Sequence, residues 1–177
     1  PPAAHHRFLI GKLEAVERGE IKRLMVFMPP GSAKSSYTSI GFPPWYLGRN
    51  PRHNVIGGSH TGDLAEHFGR RTRNIVSSEA YRRIFGWGLN PESKSVKRWE
   101  PESGGEYYAS GVGGSVTGRR ADLIIIDDPV KGREDADSDE RLHPPTVRSQ
   151  GVKPSAAGAD VDRSLRYRRH LVHHAWS

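Results

Sequence analysis

The sequence predicts an α/β domain with a mostly parallel sheet flanked by helices. Short apolar runs end abruptly on proline, glycine or aspartate, segments of helical period lie between them, and the strongest run, "ADLIIIDDPV", reads as a strand buried on both faces. At 177 residues the chain is long enough for one domain with a real core and too short for two full ones.

From Ala3 to Arg18, Phe8, Leu9, Leu13 and Val16 fall on one helical face, and Gly19 supplies the stop. Arg23 to Met28 reads as a buried strand bounded by Pro29-Pro30, and a helix is expected to start near Lys34 and to end before Pro43-Pro44. A second short strand centres on Val55-Ile56. Thr61 then caps a helix expected to carry Leu64, Phe68, Ile75 and Tyr81. "KRWEPESGGEYYASGVGG" reads as a hairpin with arms at Trp99 and Tyr107-Tyr108 and its turn at Pro101 to Gly105. Ala121 to Val130 closes the interpretable pattern. Residues 1–142 are read as the folded part, and 143–177 as a basic, irregular tail with the composition of a frame-shifted or unrelated sequence.

A net charge of +7 favours a polyanionic partner, but six Lys/Arg against two Asp in the tail supply most of it, which weakens the case for nucleic-acid binding by the core. With no cysteine there is neither a disulfide framework nor a thiolate zinc site. The pairs His5-His6 and His173-His174 have no carboxylate at ligand spacing. No apolar run approaches the ~20 residues of a membrane span, so the chain is expected to be soluble, unexported and without a membrane partner. The absence of an initiator methionine suggests a fragment.

The segment "RLMVFMPPGSAKSSYTSIGF" joins an apolar strand to a helix through small residues, a lysine and two serines. A phosphate-binding loop needs converging backbone N–H groups, a cation and a hydroxyl for a magnesium ion. Pro30, Gly31, Ser32, Ala33, Lys34, Ser35 and Ser36 offer all three, with Lys34 as the cation and Ser35 as the metal-side hydroxyl. Against GxxxxGK[ST], Met28 and Ala33 stand where glycines belong, so a proline turn followed by an exposed lysine fits the loop equally well. About ninety residues on, "LIIIDDP" supplies the carboxylate pair a nucleotide hydrolase needs: Asp127 for the metal and Asp128 for the attacking water. Taken alone, that pair is also an ordinary solvated Asx turn. Arg119 and Arg120, in a glycine-flanked segment just before this strand, have the character of arginine fingers reaching a γ-phosphate of their own or a neighbouring subunit, though surface arginines are common.

Taken in order, "RLMVFMPPGSAKSS", "FPPWYLGRNP", "VIGGSHTGDLAEHFGRRTRN", "IFGWGLNPESKSVKRW" and "GVGGSVTGRRADLIIIDDPVK" resemble the large terminase subunit of tailed bacteriophages over about His5 to Leu142. The resemblance implies a P-loop NTPase-like domain, incomplete at the C-terminus, that binds and hydrolyses ATP with Mg2+ to package double-stranded viral DNA. It assigns phosphate binding to Lys34, the metal to Ser35 and Asp127, and water activation to Asp128. It also implies a small terminase subunit and a portal protein as partners, a homo-oligomeric ring, and the bacterial host cytoplasm as location. In this family Walker A loops often lack the first glycine, whereas the place of Ala33 is usually glycine. The family's coupling motif and nuclease domain are not met in this sequence, so turnover is expected to be weak. Two alternatives stand beside this reading: an inactive prophage remnant that at most binds nucleotide, and a basic nucleic-acid-binding protein with no nucleotide site.

Overall fold

A computed structural model describes residues 1–116, 118–129 and 167–174, the last of these as backbone. In chain order the elements are α1 (Ala4–Glu17), β1 (Arg23–Val26), a π-turn (Ser36–Gly41), α2 (Phe42–Arg49), β2 (Asn54–Ser59), α3 (Gly62–Val76), α4 (Glu79–Phe85), β3 (Arg98–Trp99), β4 (Glu106–Gly111), β5 (Ala121–Asp127) and β6 (Tyr167–His174). The six strands form one sheet in the order β1-β6-β5-β2-β4-β3. Every pairing is parallel except the β3–β4 hairpin. The α/β expectation therefore holds.

β5 and β2 lie inside the sheet, in register from Val55↔Leu123 to Ser59↔Asp127, so both release their chains at the same edge. Leu123 and Ile125 are buried on one face with Val55, Tyr107 and Ala109, while Ile124 packs on the other with Ile56 and Tyr108. This two-sided burial is why the β5 run is continuously apolar. The hairpin forms as expected, with Trp99 opposite Tyr107 and their rings stacked 4.9 Å apart. Thr61 caps α3 by accepting from the Leu64 N–H. α3 then lies so close to the sheet that a Cβ added at Gly69 would stand 2.8 Å from the Val96 carbonyl oxygen, just before β3, and 3.2 Å from the Tyr107 ring of β4. α1 ends in a Schellman motif: the N–H groups of Gly19 (φ 81°) and Glu20 return to the carbonyls of Val16 and Ala15.

Several expectations need correction. β1 is an edge strand in which only Val26 is buried, and Met25 and Phe27 face outward at 58% and 53% exposure. An apolar run is thus no proof of burial at a sheet edge. Phe8 lies outside the buried stripe of α1, where the Lys12 ammonium covers its ring. Tyr81 belongs to α4, a separate helix capped by Ser78, and α3 buries Ala65, Gly69, Thr72 and Val76 while Ile75 is exposed.

Nor does the helix after Lys34 stop at Pro43-Pro44, which occupy the first turn of α2. The π-turn absorbs them. Phe42 donates to the Tyr37 carbonyl five residues back, and the Ser39 carbonyl accepts from the Thr72 hydroxyl at 3.3 Å. Finally, the span read as an irregular tail contributes β6, which lies between β1 and β5 and pairs with both, so the sheet does not end at β5. The remainder of that span, 143–166 and 175–177, is outside the described residues.

Candidate nucleotide-binding site

After β1 the chain makes a tight turn in which the Ser32 N–H donates to the Pro29 carbonyl. Pro30 and Gly31 are its central residues, and Gly31 at φ 77° takes the position that requires left-handed geometry, as in a type II turn. Ala33 follows at φ 60°, and helical backbone begins at Lys34. A left-handed residue succeeded by a helical one turns consecutive N–H groups to the same side, and the first N–H groups of a helix have no partner within it. Such a backbone can present N–H groups to an anion.

Met28, Pro29, Pro30, Gly31, Ser32, Ala33, Lys34, Ser35, Ser36 and Asp128 line a cleft of about 290 Å³. Every residue expected to cradle phosphate is therefore on this wall. Opposite stands Asp128, just past the end of β5, and its carboxylate accepts from the Lys34 ammonium at 3.1 Å. Both side chains are mostly buried, 10% and 23% exposed, so solvent screens this pair less than a surface pair.

Asp127 does not line the cleft. It is 1% exposed and lies behind the wall, where its Oδ2 accepts from the Ser39 hydroxyl at 2.7 Å. Sequence reasoning missed Ser39, although it stands one helical turn after Ser35 and so shares its face. It missed His60 as well. The His60 N–H and ring Nδ1 both approach the Asp128 carbonyl at 3.2 Å; a carbonyl only accepts, so Nδ1 carries the proton. Asp128 has φ 45°, and this double grip holds a residue in left-handed backbone. His60 could have been found by noticing that it follows β2 directly, as Asp128 follows β5.

Arg119 and Arg120 are not brought to the cleft. They precede β5, whereas the aspartates follow it, and a seven-residue strand separates its ends by roughly 20 Å. Arg119 is held at that far end by the Glu106 carboxylate at 2.7 Å and by the Tyr108 ring, 3.7 Å below its guanidinium; Arg120 is exposed.

Two buried hydroxyls at the cleft edge of the sheet, Ser32 Oγ and Ser59 Oγ, have no partner among the described residues. Buried polar groups without protein partners mark places where water or a ligand completes the set. No group of three or more His, Asp or Glu gathers among the described residues. A magnesium ion would here have one hydroxyl, one carboxylate and no all-protein cage. That donor set suits an ion that keeps its waters and shares substrate phosphates.

A profile described as terminase large subunit, T4-like-virus type, N-terminal, matches residues 25–144, about two thirds of the chain. The chain belongs to the terminase large subunits. No curated protein sequence matches it. Family membership places this terminase chain in phage DNA packaging, with DNA and the packaging machinery as partners in general. The match spans the loop, the cleft and both aspartates. No helix among the described residues is long and apolar enough to cross a membrane.

Proposed function

We propose that this terminase chain binds Mg-ATP at the cleft and hydrolyses it to drive double-stranded viral DNA. The observation that carries the reading is the Lys34–Asp128 pair, 3.1 Å apart on the wall of the cleft that the loop lines. Lys34 and the loop amides not used by the turn bind the β- and γ-phosphates; Mg2+ would be held by the Ser35 hydroxyl, with Asp127, buried behind the wall, reaching it only through water, and would neutralise charge developing on the phosphate oxygens. Phosphate competes with Asp128 for the Lys34 ammonium. Once Lys34 turns to the phosphate, the Asp128 carboxylate is free to accept a hydrogen bond from the attacking water and orient it in line.

No arginine among the described residues lines the cleft. Arg119 or Arg120 therefore acts, in this reading, on the cleft of the next subunit in a homo-oligomeric ring, and the chain alone turns over slowly. An arginine finger is worth about 10³–10⁵ in rate in other phosphoryl-transfer enzymes. The small terminase subunit and the portal are the packaging partners proposed here. Phosphate release tests the assignment: slow release by the chain, lost in Asp128→Asn, is expected, and release unaffected by Asp128→Asn would overturn the role given to that carboxylate.

A further inference from the structure

The N-terminal end of α1 reaches the back of the phosphate loop. His6 Nε2 lies 2.8 Å from the Ser32 carbonyl oxygen, 26 residues away in sequence, and the ring stacks on Tyr37 with centroids 4.5 Å apart and 29° between planes. The His5 ring meets His6 edge-on at 4.0 Å, so His6 is fixed from two sides. A carbonyl only accepts, so His6 donates from Nε2. His6 does not line the cleft, whereas Ser32 and Ala33 do; the grip comes from behind.

We propose that His6 is a positioning residue that holds the Ser32–Ala33 peptide in its anion-binding orientation. This deepens, and rests on, the reading of the cleft as a nucleotide site. A trans peptide is planar, with its C=O and N–H pointing in opposite directions. Drawing the Ser32 carbonyl back toward α1 therefore turns the Ala33 N–H forward, to the cleft. Rotating that peptide would change ψ of Ser32 and φ of Ala33 together. Ala33 stands at φ 60°, a conformation an L-residue with a Cβ disfavours, so without a hold on the carbonyl the peptide gains by flipping and withdrawing its N–H. The His6 bond opposes that flip, and the Tyr37 stack keeps the ring in place to make it.

Two measurements on the full chain test this. The first is Mg-ATP affinity by calorimetry. Relaxing a left-handed alanine is equivalent to about a tenfold change in an equilibrium constant. His6→Ala is thus expected to weaken binding about tenfold, and His6→Gln, whose amide donates from a similar place, to restore most of it. In an Ala33→Gly background, where flipping relieves no strain, His6→Ala is expected to cost less than about threefold. An equal loss in both backgrounds, or no loss in either, overturns the proposal. The second measurement needs no nucleotide: the Ala33 Cα and Cβ chemical shifts report the sign of φ. They are expected to move to negative-φ values in His6→Ala while the rest of the amide spectrum stays folded, and unchanged shifts overturn the proposal. A wild-type chain that fails to bind Mg-ATP while its Ala33 shifts still respond to His6→Ala would reject the nucleotide reading and leave the role of His6 in the loop standing.

Discussion

Ser39 donates its hydroxyl proton to the Asp127 carboxylate across 2.7 Å, joining the π-turn to the end of β5 where both side chains are buried. The bond ties the helix that follows the loop Pro30–Ser36 to the strand that carries the acidic pair. Hydrogen bonds to a charged group contribute about 1.5–3 kcal/mol. Ser39→Ala is accordingly expected to lower unfolding free energy by roughly that amount in a urea titration, with an unchanged slope. A loss within error of zero would mean that other partners of Asp127 suffice.

The left-handed alanine gives an opposite expectation. Ala33 at φ 60° carries a penalty of about 1–2 kcal/mol, and glycine there removes it while costing about 0.4–1 kcal/mol through the freer unfolded chain. Ala33→Gly should raise stability by about 0.5–1 kcal/mol. Ala33→Val, β-branched, should lower it. The same urea titration reads both, and destabilisation by glycine would show that the loop does not hold this conformation in solution.

Alkaline pH should weaken the fold through two tyrosines. Burial raises the Tyr107 phenol above its ordinary value, with the charge of Asp127 adding to the shift, and burial does the same to Tyr81. In the unfolded chain these phenols ionise near pH 10, so the folded state retains protons that the unfolded state gives up. Stability is then fully present below about pH 10 and falls as pH rises past it. Tyr107→Phe should flatten that fall in thermal melts between about pH 9 and 11. An unaltered slope would place the alkaline sensitivity elsewhere.

Asp128→Asn separates binding from turnover. The carboxylate competes with phosphate for Lys34 at 3.1 Å, so its removal should leave Mg-ATP affinity equal or tighter by calorimetry. Weaker binding by this variant would make Asp128 part of the phosphate cradle.

Much of this was legible in the sequence because the relevant residues mark chain direction. Apolar runs ending on Pro29 and on Asp127-Asp128 place the loop and the acidic pair at strand C-terminal ends, and a parallel sheet brings such ends to one edge. What escaped detection depends on tertiary partners. Pro43-Pro44 read as a helix stop because a local rule cannot see the Thr72 hydroxyl that takes up the Ser39 carbonyl. β1 read as buried because the apolar run does not tell a sheet edge from its centre. β6 escaped because Tyr167–His174 carries two arginines and three histidines and no apolar run, while its ladder is made by backbone groups that every sequence has. Arg119 looked free to reach a phosphate, and its hold on Glu106 and Tyr108 is a contact between segments far from the cleft.

The central claim is that the loop from Pro30 to Ser36 holds the phosphates of Mg-ATP through Lys34, and thermal unfolding of the full chain with and without Mg-ATP tests it most directly. A ligand that binds only the native state stabilises it by about 2.7 kcal/mol at a hundredfold excess over Kd. A concentration-dependent rise in Tm is expected for the wild type and none for Lys34→Ala. An equal rise in both would place the nucleotide elsewhere, and no rise in the wild type at saturating Mg-ATP would contradict the account outright.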